Sequence, residues 1–281
     1  MIPYTFDYYR PGTIEEAVHI YQELDAAGKS PLYYSGGSEI ISMARVNNIL
    51  TKAVIDLKAI PECVVLEKHG GLLYIGASET LSAISESNLY PLLTKACGRI
   101  ADHTMQCKIT IGGNVCGTII YKEAILPLFL SDCSAVVAGK DGNRKIPVHK
   151  LFDETLRLKK GEFIVQFMIE EKYLTLPYYH IKKTKNEKID YPLLSVAAVR
   201  EEGKLRIAFS GLCEFPFRSA KLESEMNNRE VALEERIKKA MNHLPAPVLN
   251  DVSGSDRYRL FMLKNILGNI ESEMEGQRCL S

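Results

Sequence analysis

The chain has 281 residues, is 46% hydrophobic and 25% charged, and balances 35 basic residues against 35 acidic ones, which is ordinary for a soluble globular protein of about two domains. Zero net charge without a dense Lys/Arg run excludes a protein that grips nucleic acid or an anionic membrane by bulk charge. The start, Met1-Ile2-Pro3-Tyr4-Thr5-Phe6, lacks a cationic leader, and no apolar run approaches the roughly 20 residues that span a bilayer, so the expectation is a cytoplasmic protein with no membrane segment.

The pattern predicts a first helix over residues 13–27. Thr13 and Glu16 form a capping-box pair, Ile14, Ala17, Val18, Tyr21 and Leu24 share one face, and Gly28 fits a stop. The apolar run Leu32-Tyr33-Tyr34 reads as a strand entering a glycine turn, Ser35-Gly36-Gly37-Ser38-Glu39. A helical turn follows near residues 39–45, then a short strand, Ala53-Val54-Ile55-Asp56-Leu57. Together these suggest a βαβ-type unit. The His69-Gly70-Gly71 turn leads into a strand at 72–75. Thr80 caps a short helix, and Leu92, Leu93, Ala96, Cys97 and Ile100 give helical spacing up to about Ala101.

The β-branched run at 109–111 then reads as a strand running into a second glycine-rich stretch, Thr110-Ile111-Gly112-Gly113-Asn114-Val115-Cys116-Gly117. Residues 124–130 read as a helix, and 135–138 with 145–147 as a hairpin around Asp141-Gly142-Asn143. Composition shifts after about residue 155. A strand at 163–169 is followed by three more at 178–181, 195–199 and 205–209, then by helices at 230–243 and 255–267. The last helix is expected to turn Tyr258, Phe261, Met262 and Ile266 inward. The seven cysteines (63, 97, 107, 116, 133, 213 and 279) are odd in number and widely spaced, with no C-x-x-C, and read as reduced, mostly buried thiols.

Neither glycine stretch is a G-x-G-x-x-G fingerprint or a P-loop. Both offer uncharged backbone after an expected strand, and successive N–H groups of that kind make anion-binding nests. Neither holds Lys or Arg, so main-chain donors and the hydroxyls of Ser38 and Thr110 would do most of the neutralising of a bound phosphate. Each stretch can equally be a tight turn.

Several segments carry a family resemblance: Phe6-Asp7-Tyr8-Tyr9-Arg10-Pro11, Ser35-Gly36-Gly37-Ser38-Glu39, Ile75-Gly76-Ala77, Thr110-Ile111-Gly112-Gly113-Asn114 after an I-A-x-x-x-M-x-C-K lead-in, and Tyr258-Arg259. In these the chain resembles the flavin-binding (medium) subunit of the molybdenum hydroxylases, the xanthine dehydrogenase family. The resemblance covers essentially the whole chain. It implies an α+β fold: a two-subdomain FAD-binding domain of the PCMH and vanillyl-alcohol-oxidase-like type over residues 1–172, then a small antiparallel sheet with helices over 173–281. It further implies an FAD-dependent oxidoreductase subunit, with a molybdopterin-containing large subunit and a [2Fe–2S] small subunit as partners. NAD or another molecule would be the electron acceptor.

Position by position, the resemblance implies that Tyr33, Tyr34, Ser35, Gly36, Gly37, Ser38, Glu39 and Ile40 wrap the FAD pyrophosphate. Thr110, Gly113, Asn114, Cys116 and Gly117 would form the opposing half. Ile100 and Ala101 would lie against the isoalloxazine, Lys182 near the flavin end, and Tyr191 within approach of the ring. Glu123 stands where relatives commonly carry Asp against the cofactor, and Asn186 where many carry Arg, leaving Lys185 as half of a basic pair. From composition alone these residues have plainer readings: a solvated strand edge for Lys182, a helix start for Glu123, a turn for Asn114, helix core for Ile100 and a packed loop aromatic for Tyr191. A scaffold or assembly subunit of the same fold with weak or no FAD binding, and a stand-alone FAD oxidoreductase, are the alternatives of function.

Overall fold

A computed structural model describes residues 2–185 and 189–276; Asn186 and Cys279 lie outside the described residues. The chain forms two compact units. The first comprises residues up to Ser87, with Asp102–Gly117 and Asp132–Glu171; the second comprises Asn88–Ala101, Thr118–Ser131 and the chain from Lys172 onward.

The first unit opens with β1 (Asp7–Tyr9), α1 (Ile14–Ala26), β2 (Leu32–Tyr34), α2 (Ser38–Arg45) and β3 (Ala53–Asp56). The three strands are parallel in the order β1-β3-β2, with Tyr8 beside Val54 and Tyr33 beside Ile55. The apolar run takes the central place, where neighbouring strands pair both of its edges and packing on the sheet covers its faces, and every residue of β3 is buried. Thr13 caps α1 by accepting from the Glu16 amide at 3.1 Å. The helix then lays Ile14, Ala17 and Leu24 on a core shared with Ile55, Phe163 and Val165.

An antiparallel sheet completes this unit. Its strands β4 (Leu66–His69), β5 (Leu72–Gly76), β6 (Ser134–Gly139), β7 (Gly142–Pro147) and β8 (Phe163–Glu170) lie in the order β4-β5-β8-β6-β7. The segment after β5 anchors the second glycine stretch. Its carbonyls at Ala77 and Glu79 accept the amides of Gly112 and Ile111, both at 2.9 Å.

The second unit is built on an antiparallel sheet of four strands in sequence order, β9 (Tyr178–Thr184), β10 (Pro192–Glu201), β11 (Lys204–Ser210) and the short β12 (Phe217–Arg218), rather than the expected three. The buried helix Ile125–Leu130 belongs to this unit. So does the helix Pro91–Cys97, which stops short of the expected Ala101: the Arg99 and Ile100 amides tighten onto carbonyls three residues back, Ala96 and Cys97, both at 3.2 Å, and Ala101 itself has φ +55°. Ser219 caps an unanticipated helix, Ala220–Asn227, and the next begins only at Leu233.

The last helix, Asp256–Gly276, is longer than expected and is turned differently. Tyr258 and Phe261 are 48% and 58% exposed, while Leu263, Ile266, Leu267, Ile270 and Met274 are buried. The expectation holds for Ile266 and fails for Tyr258 and Phe261, because a fully buried arginine takes the inward position. Arg259 donates to the carbonyls of Leu193 and Gly211 and makes a paired contact with both Asp251 carboxylate oxygens, each at 2.9 Å. With both terminal nitrogens bonded to carbonyl or carboxylate oxygens, a guanidinium can fill a core position that composition would give to an aromatic ring, even though Nε is left without a partner.

Arg259→Met is therefore expected to lower the unfolding free energy by about 3–5 kcal/mol, the cost of leaving buried polar partners unpaired; denaturant titration checks it. A second expectation concerns His180 on β9. Burial first, and then Lys95, Arg99 and Lys182, push its pKa down to about 4, and its Nε2 is buried without a partner. The unfolded chain takes up this proton near pH 6.5, so stability should fall as the pH drops from about 6.5 to 4, by about 3 kcal/mol. Melting curves across that window should lose much of this slope in His180→Gln.

Candidate functional site

In the first unit β2 ends at Tyr34, the chain turns through residues 35–37, and α2 begins at Ser38. Gly37 stands at the helix cap with φ +73°, a conformation glycine adopts without the usual steric cost. A Cβ there would strike the Tyr34 ring, and a Cβ on Gly36 would fall on the Lys108 carbonyl oxygen. The first amides of α2, at Ser38 and Ile40, precede any helical acceptor, and the helix begins its own bonding with Ile41 to the Gly37 carbonyl at 2.8 Å. The hydroxyls of Ser35 and Ser38 are buried with no hydrogen-bond partner. Unsatisfied buried hydroxyls beside exposed-end helix amides are a donor set waiting for an anion.

The second stretch differs from its expected form. Ile111–Cys116 is a short helix, α3, and the strand expected to lead into it is reduced to an isolated antiparallel bridge, Thr110 with Thr80; the preceding element is the helical turn His103–Gln106. Thr110 caps α3, its hydroxyl accepting from the Gly113 amide at 3.1 Å. The Ile111 and Gly112 amides bond to Glu79 and Ala77, and the Asn114 amide to the Thr110 carbonyl at 2.8 Å. Of the β-branched run only Ile111 is helical; Thr110 is extended and pairs with Thr80 in a single antiparallel bridge before capping α3. The main-chain donors expected from this half are thus engaged within the protein. What it contributes is a close wall: the Lys108 carbonyl against Gly36, and the Glu39 carboxylate against Gly117, where a Cβ would lie 2.7 Å from Oε2. Asn114 is buried and Cys116 exposed.

Tyr33 and Tyr34 part company. Tyr33 stacks on Tyr21 with centroids 4.9 Å apart, packs on Phe163 and donates to the Gly161 carbonyl at 3.2 Å, so its side chain serves the core. Tyr34 stays at the turn and, with Ile40, borders an apolar cleft of about 260 Å³ that also takes in Tyr4, Phe6 and Tyr8.

Three residues escaped the sequence reading: Lys58, Asp56 and Tyr8. Lys58 Nζ donates to the Ser35 carbonyl and to both Asp56 carboxylate oxygens, all at 2.8 Å, and lies 4.8 Å from the Tyr34 ring centroid. Asp56 is 2% exposed and also accepts from the Tyr8 hydroxyl. Burial raises the Asp56 carboxyl pKa, but the hydrogen bonds from Lys58 and Tyr8 outweigh it and hold the pKa below the ordinary range. The available signal was an aspartate at the end of the central strand, level with Tyr34 in the register.

The second unit holds the remaining candidates. Lys182 Nζ lies 2.8 Å from Glu123 Oε1, in ion-pair contact without hydrogen-bond geometry, and donates to the Arg99 carbonyl at 2.9 Å. Both side chains are almost wholly buried, so Lys182 is not the solvated strand edge that composition alone allowed. Ile100 is buried and Ala101 has φ +55°. Tyr191, 57% exposed, stacks on Tyr121 with centroids 4.9 Å apart.

Known proteins share both the sequence and the fold. Residues 4–169 match the profile of a family described as the FAD binding domain in molybdopterin dehydrogenase. The chain is similar to the carbon monoxide dehydrogenase medium chain of Hydrogenophaga pseudoflava, at 26% identity over 175 residues; that match takes in 60% of this chain and only 60% of the relative's length. It is similar to the caffeine dehydrogenase subunit beta of Pseudomonas sp. strain CBB1 at 22% identity, over 88% of this chain and 84% of that one. In fold it is similar to a chain in the structure of carbon monoxide dehydrogenase from Hydrogenophaga pseudoflava, with a TM-score of 0.84 and 21% identity over 97% of this chain and 98% of that one. Since the profile takes in more than half of the sequence, this protein belongs to the family of FAD-binding domains of the molybdopterin dehydrogenases, with FAD as its cofactor.

Proposed function

We propose that this chain is the FAD-carrying electron-transfer subunit of a molybdenum hydroxylase complex. Its partners would be a molybdopterin-containing large subunit and a [2Fe–2S] small subunit, and it would hand electrons to NAD⁺ or another acceptor. The observation that carries the reading is the 35–40 turn, where two buried, unpartnered hydroxyls and the first amides of α2 face a close wall from residues 108–117. The relatives' names, a dehydrogenase medium chain and a dehydrogenase subunit beta, support the assignment to a complex.

FAD, when bound, supplies the redox chemistry. This chain's part is binding, orientation and electrostatics. Ser35 and Ser38 would donate hydroxyl protons to the diphosphate, beside the Ser38 and Ile40 amides. The Thr110 hydroxyl accepts from Gly113 and keeps its own proton for donation. Glycines 36, 37, 113 and 117 keep backbone and ligand close, with Asn114 and Cys116 completing the second half; Glu39 is positioned by its place against Gly117. In the second unit Lys182, Glu123, Ile100, Ala101 and Tyr191 are the proposed flavin-side residues. Lys182 would stabilise negative charge on the isoalloxazine, moderated by its contact with Glu123.

The apoprotein should take up FAD and keep its visible bands through gel filtration. Ser38→Ala should raise the FAD Kd by about ten- to a hundredfold, the worth of about 1.5–3 kcal/mol for a hydrogen bond to a charged group. Gly113→Val should abolish retention while leaving the second unit folded; normal FAD binding in that variant would refute the cradle. Lys182→Met strands Glu123 in a buried place and should cost about 3–5 kcal/mol of stability, most of it recovered in Lys182→Met/Glu123→Gln. The flavin potential of Lys182→Met should shift to more negative values, and an unchanged potential would remove Lys182 from this role.

A further inference from the structure

The turn proposed to hold the diphosphate contains no cation, yet one stands directly behind it. Lys58 Nζ has three protons, and three acceptors lie at 2.8 Å: the Ser35 carbonyl oxygen, Asp56 Oδ1 and Asp56 Oδ2. Its donors are therefore committed inside the protein, and its charge is matched by a carboxylate that is 2% exposed. A lysine placed for direct phosphate contact would keep protons free, so Lys58 acts on the turn itself.

It does so at two points. At Ser35 it fixes the carbonyl, which sets the plane of the peptide to Gly36. At Tyr34 the ammonium lies over the ring face, 4.8 Å from its centroid, and that ring in turn backs onto Gly37, where a Cβ would collide with it. The ammonium is held in place from the far side as well. Asp56 sits at the buried end of β3, takes the Lys58 amide at 3.0 Å, and accepts the Tyr8 hydroxyl from β1. The central strand thus fixes the carboxylate, the carboxylate fixes the ammonium, and the ammonium fixes the turn. This matters because the second half of the cradle has its amides engaged with Glu79, Ala77 and Thr110. The 35–40 turn must then supply most of the donors, and donors bind an anion best when their directions are set beforehand.

We infer that Lys58 is a positioning residue for the cofactor phosphates: through the Ser35 carbonyl and the Tyr34 ring it pre-sets the donor directions of the 35–40 turn, with Asp56 and Tyr8 as its anchor. The inference rests on the FAD reading of this turn. Lys58 forms no contact with the cofactor.

The test uses the full chain stripped of flavin. FAD and ADP affinities are measured by titration for wild type, Lys58→Met and Lys58→Arg, together with amide exchange in the apoprotein. Lys58→Met should fold, raise the Kd of FAD and of ADP by the same factor, about tenfold, and speed exchange at Gly36–Ile40 amides while α1 and β3 keep their protection. Lys58→Arg, which can still bridge carboxylate and carbonyl, should recover to within about threefold of wild type. Should Lys58→Met not fold, Lys58→Gln keeps a neutral donor for Ser35 and should show the same two changes at about threefold. Wild-type affinity and exchange in these variants would overturn the brace alone, as would an arginine variant no better than methionine. A wild-type chain that takes up no FAD would overturn the cofactor reading and this inference with it.

Discussion

In the first unit a main-chain carbonyl, that of Lys108, occupies the space where a side chain at position 36 would have to lie. Two segments far apart in sequence therefore meet backbone to backbone. The approach is possible only because the turn carries glycine, and because α3 is pinned from behind by the Ala77 and Glu79 carbonyls. The rest of the proposed cradle depends on this contact. It holds the Ser35 and Ser38 hydroxyls out of water without giving them protein partners, a state that costs free energy unless a ligand completes the bonding.

The electrostatics of the turn are indirect. An anion there meets hydroxyls and helix-end amides, while the ammonium behind the turn, Lys58, is neutralised by Asp56 and spent on orientation. Such an arrangement places dipoles with fixed directions where a mobile charge would otherwise do the work. Fixed dipoles reorganise little when the ligand arrives. The cost is a buried carboxylate, tolerated because Lys58 and Tyr8 bond to it.

Buried ionic pairs also organise the second unit. Glu271 between Arg200 and Arg236, and Lys182 with Glu123, place opposite charges a hydrogen-bond length apart in largely buried surroundings, and the buried Arg259 reaches out to the partly exposed Asp251. Pairs of this kind add little net stability but penalise every arrangement that separates them. The pairs of Arg259 and Glu271 therefore specify how the last helix and the sheet meet, as the inward turn of Arg259 shows. His180, whose Nε2 has no partner, lies among Lys95, Arg99 and Lys182 in the same unit, so acid acts on this unit through a group that burial and three cations hold neutral.

Much of this was legible in the sequence, for a local reason. Thr13 capping α1, the β3 run between polar turns, the hairpin at 142 and the glycine turn after Tyr34 each depend on residues a few positions apart, and each stands where the pattern put it. The motifs of the two glycine stretches likewise carried the family, which the profile match established. Tertiary structure decided the rest, wherever a distant acceptor chose between local options. The strand expected to enter the second glycine stretch is cut to a single bridge, Thr110 with the distant Thr80, before Thr110 caps a helix at 111–116, and carbonyls at 193 and 211 drew Arg259 inward past Tyr258. The partner of Lys58 was near in sequence, but its target was not: the carbonyl of Ser35 reaches it only because β2 and β3 lie side by side in parallel register. Side-chain chemistry announces what a residue can bond to; the fold alone determines which carbonyl is within reach.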